Sequence, residues 1–298
     1  MTTTRTPSLR SLLFSLSGIH GSIVPMIWRR VLYTVLLSLA VVLLDRYLFA
    51  FKAGLNAAPL TLMGLTLAIF LGFRNTVAYQ RWWDARTLWG ELIIASRNLA
   101  RQRLAFLPRL DSDSASGLLR HLIAYAHALR HHLRGSDPAR DLDRWLPADT
   151  RDAVLAAPNR PSALLAHTGV AFAVASRGQG LEPILLAAFD AELGKLSHVL
   201  GGCERIQGTP IPFAYILLLH RTVHIYCFLL PFCLVGLMGW FTPLVVGVLA
   251  YTFFGLDALG DQIEDPFGTL PNDLPIEAYT TTIENDLMAL DGAAPPRA

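Results

Sequence analysis

Histidine pairs at helical spacing are the first feature of this sequence that could do chemistry. His220 and His224 lie one turn apart within an apolar segment, as haem or metal ligands would. His127 and His131 repeat that spacing in a polar part of the chain. Polar side chains inside membrane helices more often hydrogen-bond across the helix bundle, so we expect His220 and His224 to be structural. We expect His131 and the neighbouring His132 to be solvated, because no third ligand is placed near them.

The common catalytic motifs are missing from the sequence. It has no glycine-rich phosphate loop, no HExxH sequence and no nucleophile elbow. We therefore predict that the protein is not an enzyme and that it uses neither a metal nor another cofactor. The cysteines form no CxxC pair, and we expect all three to be buried and reduced: Cys203, Cys227 and Cys233.

The composition places the chain in a membrane. Of its 298 residues, 53% are hydrophobic and only 16% are charged, which is too apolar for a soluble domain of this length. The formal net charge is only +2, which argues against nucleic acid as a partner. Membrane lipid is the expected surrounding.

Four apolar segments occur in two pairs, on either side of a polar middle region. They are Val31 to Phe51, Leu60 to Phe73, Pro212 to Trp240 and Phe241 to Leu256. The second segment is uncharged for 14 residues, or about 21 Å of helix against a hydrocarbon core of about 30 Å. Because no proline occurs between Arg74 and Gln102, we predict that this helix continues out of the membrane.

The polar middle region is predicted to be a helical bundle, and no strand pattern is visible, so the fold class is all-α. Helices are expected at Gly117 to Leu133, Ser162 to Ser176 and Glu182 to Gly201. Arginines flank the first pair of apolar segments, which predicts that both termini and the middle region are cytoplasmic. The resulting division is an N-terminal cytoplasmic segment (1–30), a first transmembrane pair (31–102), a cytoplasmic helical domain (103–210), a second transmembrane pair (211–258) and a C-terminal cytoplasmic segment (259–298) that is disordered from Ala289.

Two stripes of side chains follow the second apolar segment at a spacing of four residues. Leu65, Ile69 and Phe73 place bulky apolar groups on one helix face. Beside them runs a stripe of small residues that would allow close helix packing: Gly64, Ala68 and Gly72. Both stripes could also be ordinary lipid-facing or core surface.

Charged and aromatic residues near the inner ends of these segments have simple structural interpretations. We expect Arg221 to pair with a carboxylate, with Asp257 and Asp261 as candidates, or to lie at the membrane interface. We expect an interfacial belt to be formed by Trp82, Trp83 and Trp89.

The stretch from Ile69 to Ile93 carries a family resemblance. It contains Phe-Leu-Gly-Phe, then Arg74-Asn75, then Arg81-Trp82-Trp83 with an acidic residue behind it. Glu182-Pro-Ile-Leu-Leu and Asp265-Pro-Phe-Gly are two further matches. Together these motifs resemble the prokaryotic branch of the bestrophin family of ion channels, over residues 20 to 285.

The resemblance implies a homopentamer around a central pore, with four transmembrane helices per subunit and a cytoplasmic helical bundle. The pore helix would be the one that carries Leu65, Ile69 and Phe73, which would form a hydrophobic neck, and Ile184 would form a cytoplasmic constriction. Ile184 could instead be packed in the domain core. The family passes small monovalent ions across the cell inner membrane. Anions such as chloride are favoured, with Arg74 and Arg81 as pore-exit or selectivity candidates.

Two alternatives stay open from the sequence. One is a monovalent cation channel of the same fold, and the other is a membrane redox or sensor protein that uses His220 and His224. Calcium activation is not expected, because the acidic run that follows Pro-Phe-Gly in animal bestrophins is replaced by Thr269, Leu270, Pro271 and Asn272. The nearby acids are expected to cap helices or to pair with arginines: Glu264, Asp265 and Asp273.

Overall fold

The computed structural model describes residues 22–47 and 57–291. These residues form α-helices and no strand, which confirms the all-α prediction for the part of the chain that is described. The helices are α1 Val24–Tyr47, α2 Ala57–Phe106, α3 Ser112–Arg134, α4 Ala139–Trp145, α5 Ala148–Ala156, α6 Arg160–Gly178, α7 Pro183–Gly208, α8 Phe213–Met238, α9 Thr242–Glu264 and α10 Ile276–Asp291.

The chain divides into two compact units. The first unit contains α1, α8, α9 and α2 up to Arg81. The second unit contains α2 from Trp82 onward, α3 to α7 and α10. α2 is a single helix of 50 residues, so the predicted continuation beyond Arg74 is confirmed.

The first unit holds the helices that are long and apolar enough to cross a membrane. Among the described residues, three runs meet that criterion by length and composition: Val24–Tyr47, Ala58–Phe106 and Phe213–Glu264. The third run is two helices, α8 and α9, joined by a short 3₁₀ turn at Gly239–Phe241. Pro243 occupies the first turn of α9, where its missing N–H costs no hydrogen bond.

The core of the first unit is an apolar cluster contributed by all four of its helices. It includes Ile27 of α1, Leu71 of α2, Val223 of α8 and Val246 of α9, all of them 1% exposed or less. Two helices extend beyond the apolar segments of the sequence. α1 begins at Val24, before Val31, and α9 continues eight residues past Leu256, where Asp257 pairs with Arg74.

The second unit is a helical bundle with its own apolar core. Leu92 and Leu99 of α2, Leu122 of α3 and Leu196 of α7 are all fully buried in it. The three predicted helices of this region exist, and each is longer than predicted. At its start, α3 is capped by Asp111, whose carboxylate accepts a hydrogen bond from the Ser114 N–H at 2.9 Å.

Several expectations for the second unit were wrong. α4, α5 and α10 were not predicted. Trp89 is fully buried against the core and lies 6.1 Å from the ring of Tyr279, so it does not belong to an interfacial belt. Disorder was predicted from Ala289, but α10 continues to Asp291. Residues 1–21 of the predicted N-terminal segment and residues 292–298 of the predicted tail lie outside the described residues.

The cysteines match their prediction. Cys203, Cys227 and Cys233 are all buried and none forms a disulfide. Burial raises the pKa of the Cys203 thiol to about 12, which keeps it protonated and unreactive at neutral pH.

Candidate functional site

The first half of α2 has one buried face and one exposed face. Leu60, Leu71 and Ala78 are buried in the first unit, whereas Ile69 is 49% exposed. Ile69 is nine residues from both Leu60 and Ala78, which places it about 180° from them around the helix. Leu65 and Phe73, one turn to either side of Ile69, are 61% and 62% exposed. The bulky stripe predicted from the sequence therefore lies opposite the face that packs inside the chain.

The stripe of small residues is divided between two environments. Gly64 is buried, and a Cβ at this position would lie 2.5 Å from the hydroxyl oxygen of Tyr226 on α8. Ala68 and Gly72 are exposed, and a Cβ at Gly72 would meet no atom within 4 Å. Of this stripe, Gly64 packs closely against another helix of the described chain, and a packing role of Ala68 and Gly72 stays a prediction.

A buried ion cluster holds α2 against α9. The Arg74 side chain is fully buried, and its Nη1 donates to Asp257 Oδ1 at 2.9 Å. Its Nη2 donates to Asp261 and lies 3.6 Å from Glu264 Oε2. A buried charge is tolerated only when it is paired, and Arg74 has three acidic partners. We expected Arg221 beside Asp257 and Asp261, and the structure places Arg74 there instead.

Two further contacts tighten the same junction. Asn75 Nδ2 donates to the carbonyl oxygen of Leu256 at 3.1 Å. A Cβ at Gly260 would lie 2.5 Å from Asn75 Oδ1 and 3.3 Å from Arg74 Cζ. The absence of a side chain at Gly260 therefore lets α9 approach the Arg74–Asn75 step of α2.

The histidine pair of α8 belongs to this cluster. His220 Nδ1 lies 2.7 Å from Asp257 Oδ2, and His224 Nδ1 donates to the carbonyl oxygen of His220 at 2.8 Å. Potential ligand atoms of His220, Asp257 and Asp261 lie within 4.8 Å of one another, which a metal ion could use. Both carboxylates already bind Arg74, so a cation would have to compete with its guanidinium. The arrangement is that of an ion-pair cluster with a structural histidine.

The remaining predicted site residues are placed as follows. Arg81 Nε donates to the carbonyl oxygen of Glu264 at 3.2 Å. The positive charge of Arg74 is compensated by acidic side chains of the same unit. A role of these arginines in ion selectivity stays a prediction. Ile184, in the first turn of α7, is 74% exposed, so it is not packed in the core of the described chain. Its role as a constriction also stays a prediction.

A second titratable cluster, which the sequence did not reveal, links α3, α4 and α10. His127 is buried, with Nδ1 3.3 Å from Asp141 Oδ2 and Nε2 3.3 Å from Glu284 Oε2. His131 Nε2 lies 2.8 Å from the same Asp141 oxygen, and His132 Nε2 lies 2.9 Å from Glu204 Oε1. His131 and His132 are thus hydrogen-bonded within the fold rather than simply solvated.

The protonation of this cluster follows from its surroundings. Burial lowers the pKa of His127 and outweighs the opposing effect of Asp141 and Glu284. Burial alone would raise the pKa of Asp141, but the hydrogen bond with His131 and the charges of His127 and Arg130 lower it. Asp141 and Glu284 lie on helices that were not predicted, which is why sequence reasoning missed this cluster.

Long apolar helices, a buried ion cluster between two of them and a helical bundle with its own core are typical of a helical membrane protein. The model of the bacterial and fungal bestrophin family matches residues 1–289. The chain belongs to that family.

Named relatives and solved structures agree with this assignment. The chain is 42% identical over 275 residues to the voltage-dependent anion channel-forming protein YneE of Escherichia coli K12, which covers 92% of this chain and 90% of that protein. It is 41% identical over 275 residues to the voltage-dependent anion channel-forming protein RSc3414 of Ralstonia nicotianae, with the same coverage. The crystal structure of a bacterial bestrophin homologue from Klebsiella pneumoniae superposes with a TM-score of 0.86 at 40% identity, over 90% of this chain and 100% of that one.

Proposed function

We propose that this protein is an anion-conducting channel of the cell inner membrane, assembled as a homopentamer with one central pore. Each subunit contributes four transmembrane helices, α1, α2, α8 and α9, and the α2 helices of five subunits surround the pore. The termini and the second unit face the cytoplasm. The relatives from Escherichia coli and Ralstonia nicotianae are named anion channel-forming proteins, which supports the choice of anions.

The observation that carries this proposal is the exposed stripe of α2. Leu65, Ile69 and Phe73 lie opposite the face that packs against the rest of the first unit. A ring of subunits that directs this stripe to its axis would form a neck of three apolar layers. Such a neck can stop ion flow by dewetting and permit it when the side chains move apart. Ile184 would form a second apolar constriction at the cytoplasmic side.

The ion cluster bears on how selectivity arises. Arg74 is paired with Asp257, Asp261 and Glu264, so its charge is compensated within the subunit. The neck itself carries no charge. We infer that Arg74 positions the pore helix and that selectivity depends on the ease with which an ion sheds water in the apolar neck. Chloride is the proposed permeant ion, in line with the names of the relatives.

The neck is tested by replacing Leu65, Ile69 and Phe73 together with alanine. Smaller side chains would widen and wet the neck, so we expect a severalfold higher single-channel conductance of the purified protein in planar bilayers. The matched control replaces three exposed apolar residues at similar spacing on α9, Leu244, Val248 and Tyr251, with alanine. Currents that respond equally to both triple variants would show that the neck lies elsewhere.

Selectivity is tested by the reversal potential in a potassium chloride gradient. We expect a value near the chloride equilibrium potential. A value near the potassium equilibrium potential would overturn the anion assignment and leave the alternative of a cation channel with the same fold.

A further inference from the structure

The second unit contains a cavity that the proposed pore does not use. It has a volume of about 650 Å³, which lies in the range of small-molecule sites. The cavity lies among the first turns of α3, the end of α4 and the middle of α6. Its residues come from one compact unit, so it is a feature of the single chain.

Part of the cavity lining is cationic and aromatic. Arg120 and Arg144 line it, and the Arg144 guanidinium carbon lies 4.7 Å from the centre of the Trp145 ring. Arg144 donates to Glu284 at 2.8 Å, which uses one of the five N–H donors of a guanidinium. Arg120 lies 3.9 Å from Asp113, whose side chain is 94% exposed, and such a solvated pair is weak.

The lining also includes buried polar atoms that lack a partner. Trp145 is 5% exposed, and its indole N–H makes no hydrogen bond to any described residue. The same is true of His121 Nδ1. A buried donor without an acceptor is costly, and tryptophan N–H groups normally find one when buried. Both atoms are themselves closed off from solvent, so the part of Trp145 that is available to a ligand is its ring.

Apolar side chains supply another part of the lining: Leu110, Leu118, Ala171, Val174 and Ala175. Arg120 and Arg144 are paired with Asp113 and Glu284, and each guanidinium has more N–H donors than the one contact of its ion pair uses. The cavity therefore combines an apolar surface with two guanidinium groups that can still bind an anion.

We propose that this cavity binds a small organic monocarboxylate with an apolar or aromatic body. Arg120 and Arg144 hold the carboxylate, Trp145 contributes its ring, and the apolar body lies against α6. Guanidinium groups match carboxylates in geometry and form strong charge-assisted hydrogen bonds with them.

The test uses 4-phenylbutyrate as the probe and isothermal titration calorimetry of the full chain in lipid nanodiscs, with empty nanodiscs subtracted. We expect one saturable site per subunit. The neutral amide of the same shape, 4-phenylbutyramide, is expected to bind at least about tenfold more weakly, because it lacks the charge-assisted bonds. Equal binding of acid and amide, or no saturable binding of the acid, would overturn the proposal.

Two variants locate the site. Arg120→Gln removes a charge from an exposed position and is expected to weaken 4-phenylbutyrate binding about tenfold. Val174→Trp fills the cavity from an exposed position and is expected to abolish binding. The control is Arg140→Gln, an exposed arginine of α4 that does not line the cavity, and it should bind like the unaltered protein. A loss of affinity that is equal in Arg140→Gln and Arg120→Gln would refute the assignment. Because no ion flux is measured, the result is independent of the proposed channel.

Discussion

Asp257 is the residue on which the ion cluster of the first unit depends. Its side chain is fully buried, receives a hydrogen bond from Arg74 at 2.9 Å and lies 2.7 Å from His220. Asp261 binds the same guanidinium but remains 43% exposed. Removing one partner of a buried ion pair leaves an uncompensated charge, whereas a half-exposed partner can be replaced in part by water.

We therefore predict that Asp257→Asn destabilises the protein by about 3 to 5 kcal/mol. Asp261→Asn should lower the free energy of unfolding by clearly less, because water reaches this carboxylate. Thermal unfolding of the two variants in the same detergent measures the difference. Equal unfolding temperatures of Asp257→Asn and Asp261→Asn would contradict the larger contribution assigned to Asp257.

His127 makes the stability of the second unit depend on pH. Burial holds the pKa of His127 below its ordinary value of 6.5, so the folded protein binds a proton there less readily than the unfolded chain does. Stability is therefore lost as the pH falls through 6.5. The pKa of Asp141 is also lowered, and its contribution is lost only below its ordinary value of 3.8. Burial also lowers the pKa of His121 in the same unit, so between pH 7.5 and 5.5 the slope comes from His127 and His121 together.

We predict that the unfolding midpoint falls over this pH range and that His127→Gln makes the fall shallower. The contribution of one histidine is at most about 1.4 kcal/mol per pH unit. His198→Gln alters an exposed histidine of the same unit and should keep the original slope. Scanning fluorimetry at a series of pH values provides the measurement. An unchanged slope in His127→Gln would show that another group governs the acid response.

At the scale of elements, the long regular helices could be predicted from sequence and the short ones could not. α2 was predicted to continue past Arg74 because no proline occurs between Arg74 and Gln102 and the apolar residues there keep a helical spacing. α4 and α5 have 7 and 9 residues, too few for a periodic pattern to stand out between prolines. α10 has 16 residues and was missed in a region predicted to be a tail, although its buried residues Ile276, Ile283 and Leu287 have helical spacing.

The candidate site was predictable where it depends on one helix and unpredictable where it depends on several. The spacing of Leu65, Ile69 and Phe73 identified a continuous face, since neighbours on a helix face are set by local geometry. The partners of Arg74 lie more than 180 residues away along the chain, and no local pattern reveals them. By its residue type and its spacing along the helix, Trp89 fits a membrane belt and a bundle core equally well. Its burial could therefore be recognised only from the structure.

The packing of α2 against α8 depends on the lack of a side chain at Gly64. A methyl group there would overlap Tyr226, which is itself buried and packs edge-on against Phe253 at 4.9 Å. We predict that Gly64→Ala destabilises the protein by about 1 to 3 kcal/mol through overpacking.

The matched control for this prediction is Gly72→Ala on the same helix. Its Cβ would enter open space within the chain, and alanine favours the helix over glycine by about 1 kcal/mol. Thermal unfolding in detergent should therefore separate the two variants. A loss of stability in Gly72→Ala as large as that in Gly64→Ala would indicate that Gly72 lies in a contact between subunits.

At the scale of the whole molecule, a central pore requires a ring of subunits. The exposed apolar faces of the first unit include residues of α1, α2, α8 and α9, and such faces must be covered by lipid or by other copies. We predict a complex of five times the 32.8 kDa chain mass in native mass spectrometry of the detergent-solubilised protein. A monomer would remove the basis for a pore between subunits.

The Arg74 cluster also has a consequence for how the chain is made. Arg74 and Asp257 are separated by 183 residues, and ribosomes add about 5 to 20 residues per second, so the arginine precedes its partner by roughly 10 to 40 seconds. During this interval α2 carries an arginine with no carboxylate from α9 to receive it. The newborn helix must keep Arg74 in contact with water or lipid headgroups until α9 is synthesised. Translation that stops before residue 257 should therefore release a fragment that quality-control proteases recognise and degrade.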